Sequence, residues 1–328
     1  MEGLRTPTEV VVIVVILLSY GCPIQAIVHA YGWDERTVTD WQKRAGKHCQ
    51  QVHQAIVEQG KVETHHVQAD EIRAKGRKMV AWMGMAIDAT SRVWLAGVVS
   101  IHRDRALADR LLHQVRACCQ GVRALLVCTD GWNAYPNSIL RVFREKVKKQ
   151  AGPGRAGLEV WPQLCIATVI KHTNKKRVVE VTRKLTWGTL EQAQHLLTMT
   201  RGCKQFNTSL IERFNATMRE RLASLTRKCR HAAQRLETLE TGMYLIGSTD
   251  NFCRSHHELS TSKHFAYQCT PAMAAGLTDH IWSVSELLSF KVAPAPWVEP
   301  KRRGRPRKHP LPDPTVPKRP RGRPRKVA

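Results

Sequence analysis

No C-x-x-C pair occurs among the ten cysteines of this 328-residue chain. Zinc ribbons and fingers are built on such closely spaced ligands, so neither is expected. The thiols are scattered through apolar runs in a chain too long to need disulfide staples, which predicts reduced, mostly buried cysteines. Long hydrophobic runs are missing too. The longest, Val10 to Leu18, has nine residues, whereas a bilayer crossing needs about 20. Glu2 and Glu9 outweigh Arg5 in the leading segment and no small-x-small site follows, a poor fit to a signal peptide. A buried helix, in a cytoplasmic protein without membrane association, is the expectation. Acid is the third scarcity: 27 Asp+Glu stand against 52 Lys+Arg, a net charge of +25.

What is present is therefore strongly basic, and unevenly so. Residues 301–328 hold 12 Lys+Arg and one acid, and the preceding 300 residues hold 40 bases and 26 acids. Both parts are cationic, which points to a polyanionic partner rather than a small metabolite or a lipid interior. Apolar residues make up 42%, enough for a packed core.

Three segments are predicted. Residues 1–58 carry helical patterns and include a helix-turn-helix. Pro23 opens a helix with Ile24, Ile27 and Val28 on its apolar face, Gly32 marks the turn, and Asp34 caps a second helix from Glu35 to about Arg44. Val38 and Trp41 turn inward there. Arg36, Thr37, Thr39, Asp40, Gln42 and Lys43 turn outward, a polar face suited to a DNA major groove. An ordinary helical pair within a core is the alternative.

Residues 59–290 form the second segment. His66–Arg73, Met79–Ile87 and Val93–Val99 read as strands joined by turns at Lys75-Gly76-Arg77 and Ala89-Thr90-Ser91. A helix through Leu107, Leu111, Leu112 and Val115 follows, then Leu125–Cys128, a short continuous apolar run suited to a strand buried on both faces. Three hairpin strands, a helix and a buried strand give the order of an RNase-H-like core: an α/β fold with a mixed sheet flanked by helices. Residues 144–205 are mixed and Lys-rich, and 206–290 largely helical. The third segment, 291–328, is a Pro-rich linker and a basic tail without apolar periodicity, expected to be disordered alone.

Three acids are candidate metal ligands. Asp130 follows the buried strand directly, where ligands gather beyond the carboxyl ends of strands. It also suits a simple Asp-Gly turn. Asp70 lies inside the first strand, where an acid is unfavourable unless it is paired or holds a cation. An edge position with Glu71 facing the site is the alternative. Glu212 begins a helix striped by Ile211, Phe214, Met218, Leu222 and Leu225, and Ser209-x-x-Glu212 equally reads as a capping box.

Several ordered motifs are shared with one family. Val67-Gln68-Ala69-Asp70-Glu71-Ile72, Ala86-Ile87-Asp88, Thr129-Asp130-Gly131-x-x-Ala134-Tyr135-Pro136 and Asn207-Thr208-Ser209-x-Ile211-Glu212-Arg213-Phe214-Asn215 resemble the DDE transposases of bacterial insertion sequences, the IS-one-like group. Leu222, Arg227-Lys228, Asn251-Phe252-Cys253-Arg254 and Thr270-Pro271-Ala272-Met273-Ala274-Ala275-Gly276-Leu277 continue the resemblance, which covers about residues 20–290. It implies Asp70, Asp130 and Glu212 as catalytic acids holding Mg²⁺ or Mn²⁺, and the chain as a nucleoid-associated enzyme that cuts and joins double-stranded DNA at element ends. Pairing two ends implies a homo-oligomer. Arg219, two helical turns after Glu212, is then a candidate for a DNA phosphate. Trp132 stands where the family usually has a polar or His residue, and the C-x-x-C ribbon of many relatives is not in these residues. A non-catalytic DNA-binding regulator descended from such an enzyme is the second reading.

The tail adds a repeat. Arg303-Gly304-Arg305-Pro306-Arg307-Lys308 recurs unchanged as Arg321-Gly322-Arg323-Pro324-Arg325-Lys326. Gly-Arg-Pro among bases resembles the AT-hook. Proline keeps the strip extended, glycine admits the backbone to the groove floor, and the arginines favour the narrow, negative minor groove of A/T tracts. A generic basic patch is the alternative.

Overall fold

The computed structural model describes residues 6–293, apart from 77–78, 120–123, 148–156, 176, 201–202, 226–232, 234 and 261–267. The linker beyond 293 and both hook repeats lie outside the described residues.

The apolar run at the start is a helix, α1 (Thr8–Ser19), which buries Val11, Val14, Val15 and Leu18. Then α2 (Ile24–Tyr31) ends at Gly32 in the left-handed region (φ +70°), and Asp34 caps α3 (Glu35–Ile56) by accepting from the Arg36 N–H at 2.8 Å. Here the sequence reading falls short: α3 runs twelve residues beyond Arg44. Gly46 lies within this extension. A Cβ at Gly46 would lie 2.3 Å from the Thr241 carbonyl oxygen, so this glycine permits a close helix crossing and does not end the helix.

The sheet begins with β1 (His66–Lys75), β2 (Val80–Asp88) and β3 (Trp94–Ser100), an antiparallel meander. Asp88 closes its second turn. Fully buried, it accepts hydrogen bonds from Thr64, Thr90 and Ser91. Next come α4 (Arg105–Cys118), β4 (Ala124–Thr129), α5 (Ala134–Val142), a small hairpin of β5 (Arg144–Val147) and β6 (Gly157–Val160), then β7 (Gln163–Asn174), β8 (Arg177–Trp187) and α6 (Leu190–Met199). Then follow α7 (Ser209–Arg221), α8 (Leu236–Cys253) and the short helices α9 (His257–Ser260), α10 (Pro271–Ala274) and α11 (Val284–Ser289).

The six-stranded sheet has the order β3-β2-β1-β4-β7-β8. The β1–β4 and β4–β7 pairs are parallel, and β7–β8 antiparallel. This is the mixed, helix-flanked sheet of an RNase-H-like fold. Leu125 and Val127 of β4 join the larger core with α4 and α5, while Leu126 and Cys128 join a smaller one with Ala193, Leu196 and Leu197 of α6. Burial on both faces explains the unbroken apolar run. α8 packs on α3 and β3, and His53 of α3 bonds the Leu95 carbonyl at 3.0 Å through Nε2. No disulfide joins the described cysteines, most of which are buried. No helix among the described residues is long and apolar enough to cross a membrane.

Candidate metal centre and its surroundings

Parallel pairing brings the first two acids together. The β1–β4 register runs from His66 opposite Leu126 to Ala69 opposite Thr129. Asp70 and Asp130 are the next residues on the two strands, at the end where β4 stops. Carboxylate oxygens of Asp70, Glu71 and Asp130 lie within 4.8 Å of one another. The sequence alternatives for Asp70 and Glu71 were exclusive, yet both residues contribute. Gln68 and Asp70 face α7, and Glu71 reaches the cluster from the opposite face, where the buried Tyr135 hydroxyl of α5 confronts it.

Glu212 is set by the first turn of α7. The buried side chain of Gln68 on β1 accepts from the backbone N–H groups of Leu210 and Ile211 at 3.0 and 3.1 Å, and donates to Asn207 at 3.1 Å. Two otherwise orphaned helix donors are thereby satisfied from the strand that carries Asp70. The alternative reading, a capping box, does not form: Ser209 bonds Asn207, and Thr208 donates to the Glu212 carboxylate at 2.6 Å. One turn on, Asn215 donates to Asp70 at 2.9 Å. Of the predicted stripe, Ile211, Phe214 and Met218 are buried within α7; the helix stops at Arg221, so Leu222 and Leu225 lie past its end.

Two cations stand among the acids. Arg103, in the loop after β3, pairs with Glu71 at 3.1 Å and Asp130 at 3.4 Å, and its guanidinium lies 4.6 Å from the Trp132 ring centre and 5.2 Å from that of Trp82. Trp132 thus packs on Arg103 and edge-on to Tyr135. Lys171 of β7 binds both carboxylate oxygens of Glu212. Neither Arg103 nor Lys171 was picked out in the sequence. An open groove runs between Arg103, Asp130, Lys171 and Glu212.

Crowding shows in the proton affinities. Burial, with the neighbouring Asp130 and Glu212 charges adding to it, pushes Asp70 above the ordinary carboxylate range. Burial and then Asp130 push Glu71 up to about 7, against the pull of Arg103. One Glu71 oxygen, Oε1, is buried without a hydrogen-bond partner. Hard oxygen donors within 4.8 Å of one another and excess negative charge fit a divalent cation such as Mg²⁺.

The other predicted residues lie elsewhere. Arg219 is exposed on α7, two turns and about 10 Å of helix from Glu212. On α3, Arg36, Thr37 and Thr39 are exposed, whereas Gln42 and Lys43 are half-buried. Lys43 and Lys47 both pair with Glu237 of α8 at 2.9 Å, so Lys43 is tied to the body of the protein. The hook residues Arg303, Gly304, Arg305, Pro306, Arg321, Gly322, Arg323 and Pro324 lie outside the described residues.

No protein-family model matches the chain, and no curated protein matches it. Among solved structures it is similar to a chain of a simian T-cell lymphotropic virus intasome in complex with the PP2A regulatory subunit B56 gamma. The identity is 11%, over 89% of this chain and 80% of that one, with a TM-score of 0.37.

Proposed function

We propose that the chain is a DNA transposase of the insertion-sequence type, cutting and joining DNA strands at the Asp70–Asp130–Glu212 cleft. The observation that carries this reading is the meeting of Asp70 and Asp130 at the open end of two parallel strands, with Glu212 across the groove on a helix bolted to β1. The ordered transposase-like motifs around these acids support it.

Asp70, Asp130 and Glu212 would hold two Mg²⁺ or Mn²⁺ ions, with Glu71 beside them. When bound, such a pair activates the attacking oxygen and stabilises the leaving oxygen of an in-line phosphoryl displacement. The chain's own groups do the positioning. Gln68 fixes the start of α7, Asn215 orients the Asp70 carboxylate, and Trp82 and Trp132 pack against Arg103 at the edge of the cluster. Arg103, Lys171 and, further along α7, Arg219 supply positive charge for a phosphate backbone. Arg36, Thr37, Thr39 and Gln42 are assigned to the major groove of the element ends, and the two hook repeats to A/T-rich minor groove. Two DNA ends require a homo-oligomer.

One observation favours the second reading, a non-catalytic DNA-binding regulator. Arg103 and Lys171 already pair with Glu71, Asp130 and Glu212, as in a purely structural ion-pair net. A Mg²⁺-dependent cleavage and strand-transfer assay with Asp130→Asn as control separates the two. The transposase reading expects strand transfer that this change abolishes; activity that survives it, or none in either protein, favours the regulator.

A further inference from the structure

On the opposite side of α7 from Glu212 lies a second polar cavity, open to solvent and independent of the acid cleft. It is formed where the α1–α2 junction meets α7, the end of α8 and α9. The junction is held by a close approach. Gly21 has φ +85°, and a Cβ there would lie 3.0 Å from the Arg221 Cα and from the Glu220 carbonyl oxygen. Only glycine fits both constraints, and the result seats the Tyr20 ring beside Arg221 and Arg254, whose guanidinium carbons lie 5.9 and 4.1 Å from its centre.

Cations outnumber anions in this cavity. Arg221 pairs with Asp250 at 2.6 Å and Arg254 stands 3.7 Å from the same carboxylate. Arg213 and Arg92 share Glu258 at 3.0 and 3.4 Å. Four guanidinium groups thus face two carboxylates. Arg254 is nine-tenths buried, with 10% of its side chain exposed. Its Nη2 is spent on Ser19, and its buried Nη1 faces Asp250 at 3.7 Å, beyond hydrogen-bond distance. The buried Nδ1 of His256 has no hydrogen-bond partner.

The geometry points to a phosphate-binding pocket for single-stranded nucleic acid: a phosphodiester on Arg221 and Arg213, with the adjoining base on the Tyr20 ring that Arg254 supports. Tyr20 is 64% exposed, so one face of the ring stays open beyond the stacked Arg254. An open basic groove beside an exposed aromatic face is how a strand is held without sequence readout. A free nucleotide offers the same phosphate chemistry, and the test distinguishes the two sources.

The test uses the full chain and an octathymidylate carrying 5-iodouracil, photo-crosslinked and mapped by mass spectrometry. The crosslink is expected at Tyr20. Inorganic phosphate should compete weakly, and unlabelled octathymidylate far better than thymidine monophosphate. Arg213→Gln/Arg221→Gln should cut the yield about tenfold, measured well below a melting temperature that loss of the Arg221–Asp250 pair lowers. Should the pair fail to fold, Arg213→Gln alone, at a residue 66% exposed, should still lower it several-fold. Asp70→Asn should leave it intact, because this pocket does not depend on the acid cleft. A crosslink absent from Tyr20, one undiminished in the arginine variants, or equal competition by thymidine monophosphate would overturn the assignment.

Discussion

Asp130 stands one residue past the last rung of the parallel β1–β4 ladder, and Asp70 stands one residue past it on the other strand. Their proximity is set by backbone register, so it resists any single side-chain change nearby. The third acid has no such guarantee, because Glu212 is on a helix whose placement depends on Gln68.

That dependence can be measured. Gln68→Leu strips the acceptor from two backbone N–H groups at the start of α7, and each unsatisfied buried donor costs about 1–3 kcal/mol. Denaturant unfolding should show a loss of that order or somewhat more, and activity in the cleavage assay should fall further than stability explains. Gln68→Glu, which keeps the acceptor, should be milder on both counts.

Gly46→Ala tests the crossing of α3 and α8. The added methyl meets the Thr241 backbone at 2.3 Å and cannot be relieved by a rotamer change. Overpacking of this kind costs about 1–3 kcal/mol, so the melting temperature should drop although alanine is the better helix former.

Lys171→Ala should do the reverse of what its ion pair suggests. Both partners are more than one-third exposed (37% and 40%), so the pair contributes less than about 1 kcal/mol. Stability should hardly move in thermal melts, and divalent-ion affinity, read by calorimetry, should rise once Glu212 is released.

His53 and His66 set an acid limit. Burial lowers their pKa values to about 4 and about 3, with the Arg92 charge adding to the effect at His66. Both folded values lie below the unfolded value near 6.5. The stabilisation is therefore complete above pH 6.5 and is lost as pH falls toward the folded values. Glu58, 3.7 Å from His53, has its own affinity raised by burial and titrates with the opposite sign, so the histidine effect is read as a difference. From pH 6.5 down to 4.5, the protein should lose stability relative to His53→Gln, by up to about 1.4 kcal/mol per pH unit. A constant difference across that range would refute the assignment.

Residues whose burial leaves a pattern were readable in advance. The β1–β3 meander, β4 with its two buried faces, and the start of α7 follow from apolar spacing and turn residues, and they carry Asp70, Asp130 and Glu212. β7 and β8 were not readable, because β8 is exposed or half-exposed along its whole length and neither strand alternates cleanly. Lys171 was missed with them. Arg103 sits in a polar loop that looks like ordinary surface, and only the fold lays it between Trp82 and Trp132. The length of α3 beyond Arg44 was not readable, because Thr241, against which its Gly46 packs, is 195 residues away in the chain.

The central claim is that the clustered carboxylates form a divalent-metal site and are more than an ion-pair net for Arg103 and Lys171. Calorimetric titration of Mn²⁺ and Mg²⁺ into the full chain tests it most directly, without knowledge of the DNA ends. The account predicts saturable binding that Asp70→Asn and Asp130→Asn each weaken about tenfold or more while the protein stays folded. Absence of binding at millimolar metal, or equal binding by the protein and both variants, would contradict it.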